Sequence, residues 1–498
     1  MRKSFYIAGF LLSVVTTWFA LIYPMTWVVP VIVVSLYIIG IFNTVQPNHT
    51  ILRNFPVIGY FRYFFEFIAP EIQQYFIERS TDGRPYSRNE RALAYRRSKN
   101  VDDTTPFGTQ HDLEKNDYEG LEHSIYASNV APEVPKIKIG GTKCTQPYEA
   151  SILNISAMSL GSLSRNAILA LSSGAARGGF YLNTGEGGLT PYHLKHQPDV
   201  VWQIGTGYFG CRTSEGGFDP GKFAEKAARA EVKMIELKLS QGAKPGHGGV
   251  LPGHKNTPEI AEIRGVEPYH TISSPPGHHT FNNADGLLAF IDRMRSLAGG
   301  KPVGFKLCIG QAQEFEELCQ VMKKTGLLPD FITIDGAEGG TGAAPLEFSD
   351  SVGIPLQPAL LFVNKTLIKY GLRQKIKVIA SGKILSAASV IRAKALGADL
   401  CNCARGFMFA LGCIQALKCN TNHCPTGVAT QNKMLMHGLV VKDKAERVYY
   451  FHHNTVEAVR ELLAATGKVH IDQVNPAIFV KGYKFQEMEK DFFAEEVW

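Results

Sequence analysis

Acidic and basic residues are missing from residues 4–52, where not one Asp, Glu, Lys or Arg occurs. That gap excludes an ordinary soluble surface for the stretch, because exposed segments of such length carry charge. A secretory cleavage site is also missing, and the cysteines number nine, an odd count. Together these argue against a disulfide framework and for a reducing compartment around the main body. No basic stripe with interleaved aromatics occurs, and the formal charge is only +7 over 498 residues. Nucleic acid is therefore not an expected partner. What remains is an ordinary globular composition, 45% apolar and 19% charged, with room for two or three domains. Many of its 48 glycines fall between 160 and 345. Glycine gathered in loops marks places where backbone approaches a ligand.

The uncharged stretch divides into two runs. Residues 5–23 form an apolar run of 19, long enough to cross a bilayer as a helix, and residues 27–42 form a second of 16. Pro24 breaks the pattern between them. Tyr23 and Trp27 flank the turn, as amphipathic aromatics do at a lipid–water boundary. Arg2 and Lys3 precede the first run and Arg53 follows the second. The expectation is a transmembrane helical hairpin over 1–45 with both ends cytoplasmic, in the inner (cytoplasmic) membrane. A signal peptide gives no reason for a second span; a buried core hairpin is the other alternative. Residues 46–134 read as a juxtamembrane segment and linker. Within it, the aromatic-rich 51–78 fits a membrane surface or a packed face equally, and the arginine-rich 79–118 reads as a linker or wrap.

From about residue 150 the chain alternates short apolar strands with helical stretches. Strands are expected at 151–158, 179–184, 200–205, 233–239, 303–308, 331–336, 377–382 and 400–405. Apolar residues recur at helical spacing between several of them. Eight such units predict an α/β fold, a (β/α)8 TIM barrel, with an open doubly wound sheet as the runner-up. Residues 205–210 (GTGYFG) match a dinucleotide fingerprint by letter, but CRTSEGG follows and cannot open the required helix. The match is set aside.

Cys413, Cys419 and Cys424 follow the last strand, and no cysteine lies beyond them. Four thiolates would fit structural zinc or a 4Fe–4S cluster. Three fit a 3Fe–4S cluster. Zinc would need His423 as fourth ligand, which sits awkwardly beside Cys424. Ordinary buried thiols are the remaining reading.

In a barrel, chemistry sits where strands end at the C-terminal face. Those ends here are NTGEGG (183–188), KLSQGAKPGHGG (238–249), DGAEGGTG (335–342), Ala380-Ser381-Gly382-Lys383 and Ala404-Arg405-Gly406. Glycine turns late in a barrel commonly hold phosphate, and Lys383 and Arg405 add charge. With the cysteine loop, this combination points to flavin plus cluster. Lys238 suits the flavin ring, since a cation there stabilises a reduced flavin. Lys244, His254 and Lys255 suit an anionic substrate.

These motifs, together with LPGHK, SPPGHH, GAEGGTGAAP, ALGCIQALKC and CPTGVATQ, resemble the FMN and iron–sulfur synthase domain of glutamate synthases over residues 135–432. The similarity is to stand-alone, membrane-tethered members rather than to the large multidomain enzymes. The resemblance implies reductive amination of 2-oxoglutarate by ammonia to L-glutamate, using FMN and a 3Fe–4S cluster. It implies that FMN lies over Ala157, Met158 and Ser159. Its phosphate is expected at Gly340, Thr341, Gly342, Ser381, Gly382, Lys383, Arg405 and Gly406. Lys238 and Gln241 are expected at the ring or the oxoacid, Lys244 at a carboxylate, and Glu186 in ammonia use. Cys413, Cys419 and Cys424 are expected to hold the cluster. The first cysteine is Cys144, so the cysteine-nucleophile amidotransferase of the large enzymes is expected to be absent. So is their C-terminal β-helix, with 433–498 a helical extension. Ammonia, another amine or a partner must then supply nitrogen, and an external donor such as ferredoxin the electrons. His247 replaces an acidic residue, which leaves a related 2-oxoacid or amine open. The competing expectation is a membrane-tethered electron-transfer or regulatory module without amination activity. A different flavin reaction is the third.

Overall fold

In the computed structural model, residues 2–113, 115, 118–128 and 133–481 are described. They fall into two compact units, 1–87 and 88–498.

The first unit opens with helices α1 (Arg2–Ile22) and α2 (Val28–Val45), joined through Pro24. Glycines set their approach. A Cβ on Gly9 would lie 2.4 Å from the Tyr37 ring, and one on Gly40 would lie 2.0 Å from the Phe5 ring. Most of the remaining apolar side chains point outward, with Trp18 63% and Phe42 67% exposed. Both helices are long and apolar enough to cross a membrane, by length and composition. A further helix, Tyr60–Ile72, keeps Phe61, Phe64, Phe65 and Phe67 exposed in the same unit.

The second unit is a closed eight-stranded parallel barrel. Its strands are β1 (Leu153–Ile155), β2 (Leu182–Asn183), β3 (Val200–Ile204), β4 (Val232–Lys238), β5 (Val303–Leu307), β6 (Phe331–Asp335), β7 (Lys377–Ser381) and β8 (Leu400–Cys403). β8 closes on β1 through the Cys401–Leu153 pair. Each strand lies within or one residue outside its expected span. The strands bury both faces, so they read as near-continuous apolar runs. The expected strands overran at their ends, where residues such as Ala157 and Met158 already belong to mouth loops. A hairpin of Ile137–Ile139 and Tyr148–Ala150 seals the N-terminal end, packing Ile139 and Tyr148 against Tyr181, Met234 and Phe331.

Two boundaries differ from expectation. The arginine-rich part of the expected linker contains the helix Arg88–Lys99, which packs on the long helix Val441–Ala465 and belongs to the barrel unit. Its polar sequence conceals this, because Arg91 and Arg97 are themselves buried, as long side chains with a charged tip can be. Val441–Ala465 in turn packs on Arg165–Gly178, so the expected C-terminal extension is part of the barrel's outer layer. Residues 482–498 of that extension lie outside the described residues.

Candidate active site at the barrel mouth

Lys238 is the last residue of β4, and its ammonium enters the mouth. Nζ donates to Glu186 Oε2 at 3.0 Å and to Gln241 Oε1 at 2.5 Å. The peptide behind it is fixed by His278, whose Nε2 lies 2.9 Å from the Lys238 carbonyl and whose Nδ1 lies 2.8 Å from the Tyr208 hydroxyl. Burial pushes His278 down to about 4. The neutral ring has one N–H, and the carbonyl can only accept, so Nε2 carries the proton. His278 lies within the SPPGHH motif, but its contact with β4 spans 40 residues and leaves no local signal.

Glu186 reaches Lys238 because the turn after β2 is tight. Gly185 adopts φ +64°, and a Cβ there would meet the Ser159 amide at 2.8 Å. Any other residue would push β1 and β2 loops apart. Two more glycines make room for the carboxylate itself. A Cβ on Gly205 would lie 2.7 Å from the Glu186 Cβ, and one on Gly249 would lie 2.2 Å from Oε1. Gly205 belongs to the GTGYFG stretch set aside above. No helix follows it until Pro220–Ala227; its work is steric. Burial alone would raise the Glu186 carboxyl. The charges of Lys238 and Lys244, the Lys238 hydrogen bond and the Arg264 charge outweigh that and hold it below the usual range. Arg264, which the sequence reading missed, is anchored through Nη2 to the Leu160 carbonyl at 3.1 Å.

Lys244 is buried, with Nζ 3.1 Å from the Ala343 carbonyl. Burial pulls it down to about 8, while the Glu186 charge resists. Gln241 Nε2 lies 3.4 Å from the Gly340 carbonyl. The loops after β4 and β6 are thus stitched together. The Gly242 amide donates to Asp335 Oδ2 at 2.9 Å, and a Cβ on Gly242 would sit 1.6 Å from the Gly336 carbonyl oxygen.

The expected phosphate residues are neighbours. The Gly336 amide bonds the Ser381 carbonyl at 2.8 Å. Arg405 Nη2 donates to the Glu338 carbonyl at 2.6 Å, and a Cβ on Gly340 would crowd Arg405 Nε at 2.9 Å. Gly382 and Lys383 both have positive φ, +139° and +46°. Gly406 lies in the first turn of the short helix Arg405–Ala410. Thr341 bonds within its own loop, to Ala343, and a Cβ on Gly342 would meet the Ser162 side chain at 3.8 Å. The Glu338 carboxylate turns to the Leu356 amide, at 3.1 and 3.2 Å. At the β1 end, Met158 N bonds the Asn183 carbonyl at 3.3 Å and Ser159 Oγ meets Ser162 Oγ at 3.0 Å. Ala157 precedes them. Bare glycine edges, an arginine and a lysine suit a phosphate-bearing cofactor by chemistry.

Two expected substrate residues point elsewhere. Lys255 is 2% exposed, and its Nζ donates to the carbonyls of Ser162 (2.9 Å), Cys419 (3.0 Å) and Ala429 (3.3 Å). Three acceptors use all three N–H bonds of an ammonium. His254 Nε2 meets the Asn420 carbonyl at 3.0 Å. Both side chains are committed to the cysteine loop, not to the cluster around Lys238.

That loop is tightly wound. Gln415, Leu417 and Asn422 all hold left-handed φ, +59°, +54° and +66°, a costly conformation for side chains with a Cβ. Cys413 Sγ receives the Gln415 amide at 3.4 Å, and its carbonyl receives the Tyr95 hydroxyl at 2.6 Å. Tyr95 comes from the unexpected helix Arg88–Lys99. Burial pushes Cys413 up to about 12 and raises Cys419. At Cys424 burial is outweighed by the Thr426 hydroxyl and by backbone amides, so its thiol lies low. His423 is exposed while Cys424 is buried, which gives the zinc reading no support. Among the described residues, no group of three or more His, Cys, Asp or Glu side chains could hold a single metal ion.

Comparison with known proteins fits this arrangement. Residues 100–469 match the conserved region in glutamate synthase. The glutamate synthase large subunit-like protein YerD of Bacillus subtilis (strain 168) is 41% identical over 462 residues, covering 85% of this chain and 88% of YerD. An archaeal glutamate synthase (NADPH) of Methanocaldococcus jannaschii is 33% identical, over 70% of this chain and 65% of its own length. The ferredoxin-dependent glutamate synthase 1 of Arabidopsis thaliana is also 33% identical, over 64% of this chain but only 20% of its own length. The chain spans most of YerD and progressively smaller shares of the others. It belongs to the glutamate synthase family of oxidoreductases.

Proposed function

We propose that this chain reductively aminates 2-oxoglutarate, or a related 2-oxoacid, to L-glutamate or its counterpart. The observation that carries this is the Lys238–Glu186–Gln241 cluster, with Lys244 beside it, at the mouth of the barrel. Lys244 offers a buried cation to a substrate carboxylate, and burial strengthens that attraction. Lys238 donates toward the carbonyl oxygen and then toward the imine nitrogen. Glu186, held ionised, orients ammonia and takes the proton that nitrogen loses on attacking the carbonyl carbon. Water leaves, and the imine carbon awaits hydride. FMN, held by Ala157–Ser159, Gly340–Gly342, Ser381–Lys383, Arg405 and Gly406, would supply that hydride when bound. Gln241 spans Lys238 and Gly340 and keeps the two halves of the mouth in register.

The same reading gives Cys413, Cys419 and Cys424 a 3Fe–4S cluster, which would bring in electrons one at a time from an external donor such as ferredoxin. Cys413, Cys419 and Cys424 lie on one loop and would hold that group by their thiolates, the ligand type such clusters take. The hairpin would tether the chain to the inner membrane with the barrel in the cytoplasm.

Chemically reduced protein mixed with 2-oxoglutarate and ammonium should reoxidise its flavin and yield glutamate. No reoxidation across a panel of oxoacids and amines would favour an electron-transfer module instead. Anaerobically purified protein should show flavin absorbance and a cluster signal by electron paramagnetic resonance. Cys419→Ser should lose that signal and keep FMN. Deleting residues 1–45 should release soluble, flavin-loaded protein; retention in the membrane fraction would count against the tether.

A further inference from the structure

We infer that Lys255 is a positioning residue for the cysteine loop, clamping it to the loops after β1 and β4 and placing a fixed positive charge beside its thiols. The charge half of this inference rests on the cluster reading above; the clamp does not. Lys255 lies in the turn Gly253–Lys255, on the excursion that leaves β4 through Lys244. Its three carbonyl acceptors belong to two other loops: Ser162 follows β1, and Cys419 and Ala429 bracket Cys424. The turn is docked from both sides. His254 Nε2 meets the Asn420 carbonyl at 3.0 Å, and Asn422 Nδ2 approaches the His254 carbonyl at 3.4 Å. Gln431 repeats the join from the other direction, donating to the carbonyls of Gly161 (3.2 Å) and Leu163 (2.9 Å) while its own amide bonds Asn422 Oδ1 at 2.6 Å.

A buried lysine normally answers a carboxylate. Here every hydrogen-bond partner is a neutral carbonyl, and two of the three, at Cys419 and Ala429, bracket Cys424 on the cysteine loop. Arg264 adds a second cation nearby. An ammonium that is costly to bury gains most when the thiols beside it carry charge, as ligands of a cluster do. The same position favours the more negative oxidation state of whatever those thiols hold. Because the turn also continues the Lys244 loop, the clamp makes the cysteine loop and the substrate loop one mechanical body.

The test compares full-length Lys255→Gln, which keeps a donor and loses the charge, with Lys255→Arg, which keeps the charge. Hydrogen exchange across 413–431 and 159–163 reads the clamp, and an electron paramagnetic resonance redox titration reads the charge. Lys255→Gln should exchange faster in both segments and shift the cluster to lower potential, with FMN content unchanged; Lys255→Arg should bring the potential back toward wild type. Unchanged exchange in Lys255→Gln overturns the clamp. An unchanged potential, or equal shifts in both variants, overturns the role of charge. Should Lys255→Gln not fold, Gln431→Ala reads the same junction, and protection equal to wild type in 159–163 and 413–431 overturns the clamp. Wild-type protein without iron defeats the cluster reading and with it the charge, while exchange still decides the clamp.

Discussion

The barrel interior holds a buried carboxylate and the barrel mouth a half-buried one, and the two are treated in opposite ways. Glu236, on β4, is 1% exposed and accepts hydrogen bonds from Asn183 Nδ2 (2.8 Å), Gln203 Nε2 (2.7 Å) and Thr333 Oγ1 (2.6 Å). All three donors are neutral and come from three other strands. Glu186 meets a lysine instead, with two further cations bearing on it, and glycines pack directly against it where no larger residue would fit. The first arrangement fixes strands to one another. The second sets a charge among cations, which is a costly way to build stability and a useful way to tune a proton-transfer group.

The sharpest way to break that comparison is to neutralise each carboxylate. Glu186→Gln should lower amination by about 10²–10⁴-fold, the usual reach of a positioned acid–base group, while changing the melting temperature little. Glu236→Ala should do the reverse. It abandons three buried donors, each worth about 1–3 kcal/mol, so it should cost roughly 3 kcal/mol or more in chemical denaturation. A stable Glu236→Ala, or an unfolded Glu186→Gln, would show that the two sites do not divide the labour this way.

Acid should separate the regions next. His193, His278 and His452 are buried, and burial pulls them down to about 4, 4 and 3. Unfolded, each titrates near its ordinary 6.5 and binds a proton that the folded form refuses. Their stabilisation is therefore complete above pH 6.5 and is lost as pH falls toward 4. The slope is about 1.4 kcal/mol per pH unit for each histidine. His193→Asn should flatten the acid limb of a denaturation series by about one such increment; an unchanged limb would remove it from the account. Glu186 should add to the loss only at the acid end of this window: its folded carboxyl is held below the ordinary 4.5, so its stabilisation is present above that value and is lost as pH falls through it.

The same division explains what the sequence could disclose. Strands buried on both faces announce themselves as apolar runs, so all eight were legible with β4 and β6 nearly to the residue. Lys238, Glu186 and Gln241, expected at the mouth from their places after strand ends, are brought together there. Lys255 was expected at the substrate, whereas its Nζ bonds the carbonyls of Ser162, Cys419 and Ala429, and along a chain a lysine that meets a substrate and one that meets a loop look alike. Tyr95 and His278 left no trace. Each acts on a residue far away in sequence, Tyr95 on Cys413 and His278 on Lys238, and nothing local to RALAYRR or SPPGHH encodes that. The helix Arg88–Lys99 was hidden because its burial depends on a partner that begins at Val441.

The smallest expected effect is the most discriminating, because it tests Lys244 without removing anything. Its ammonium sits at about 8, within reach of ordinary assay buffers. A carboxylate substrate needs the charged form, so KM for the oxoacid should stay flat below pH 8 and then climb, by up to about tenfold per pH unit. Lys244→Arg keeps its charge throughout that range and should abolish the climb, even if its KM is higher at every pH. The measurement is made at constant free ammonia, so that the amine's own titration does not enter. A climb that persists unchanged in Lys244→Arg would move the carboxylate contact to another cation of the mouth, with Lys238 the first to examine.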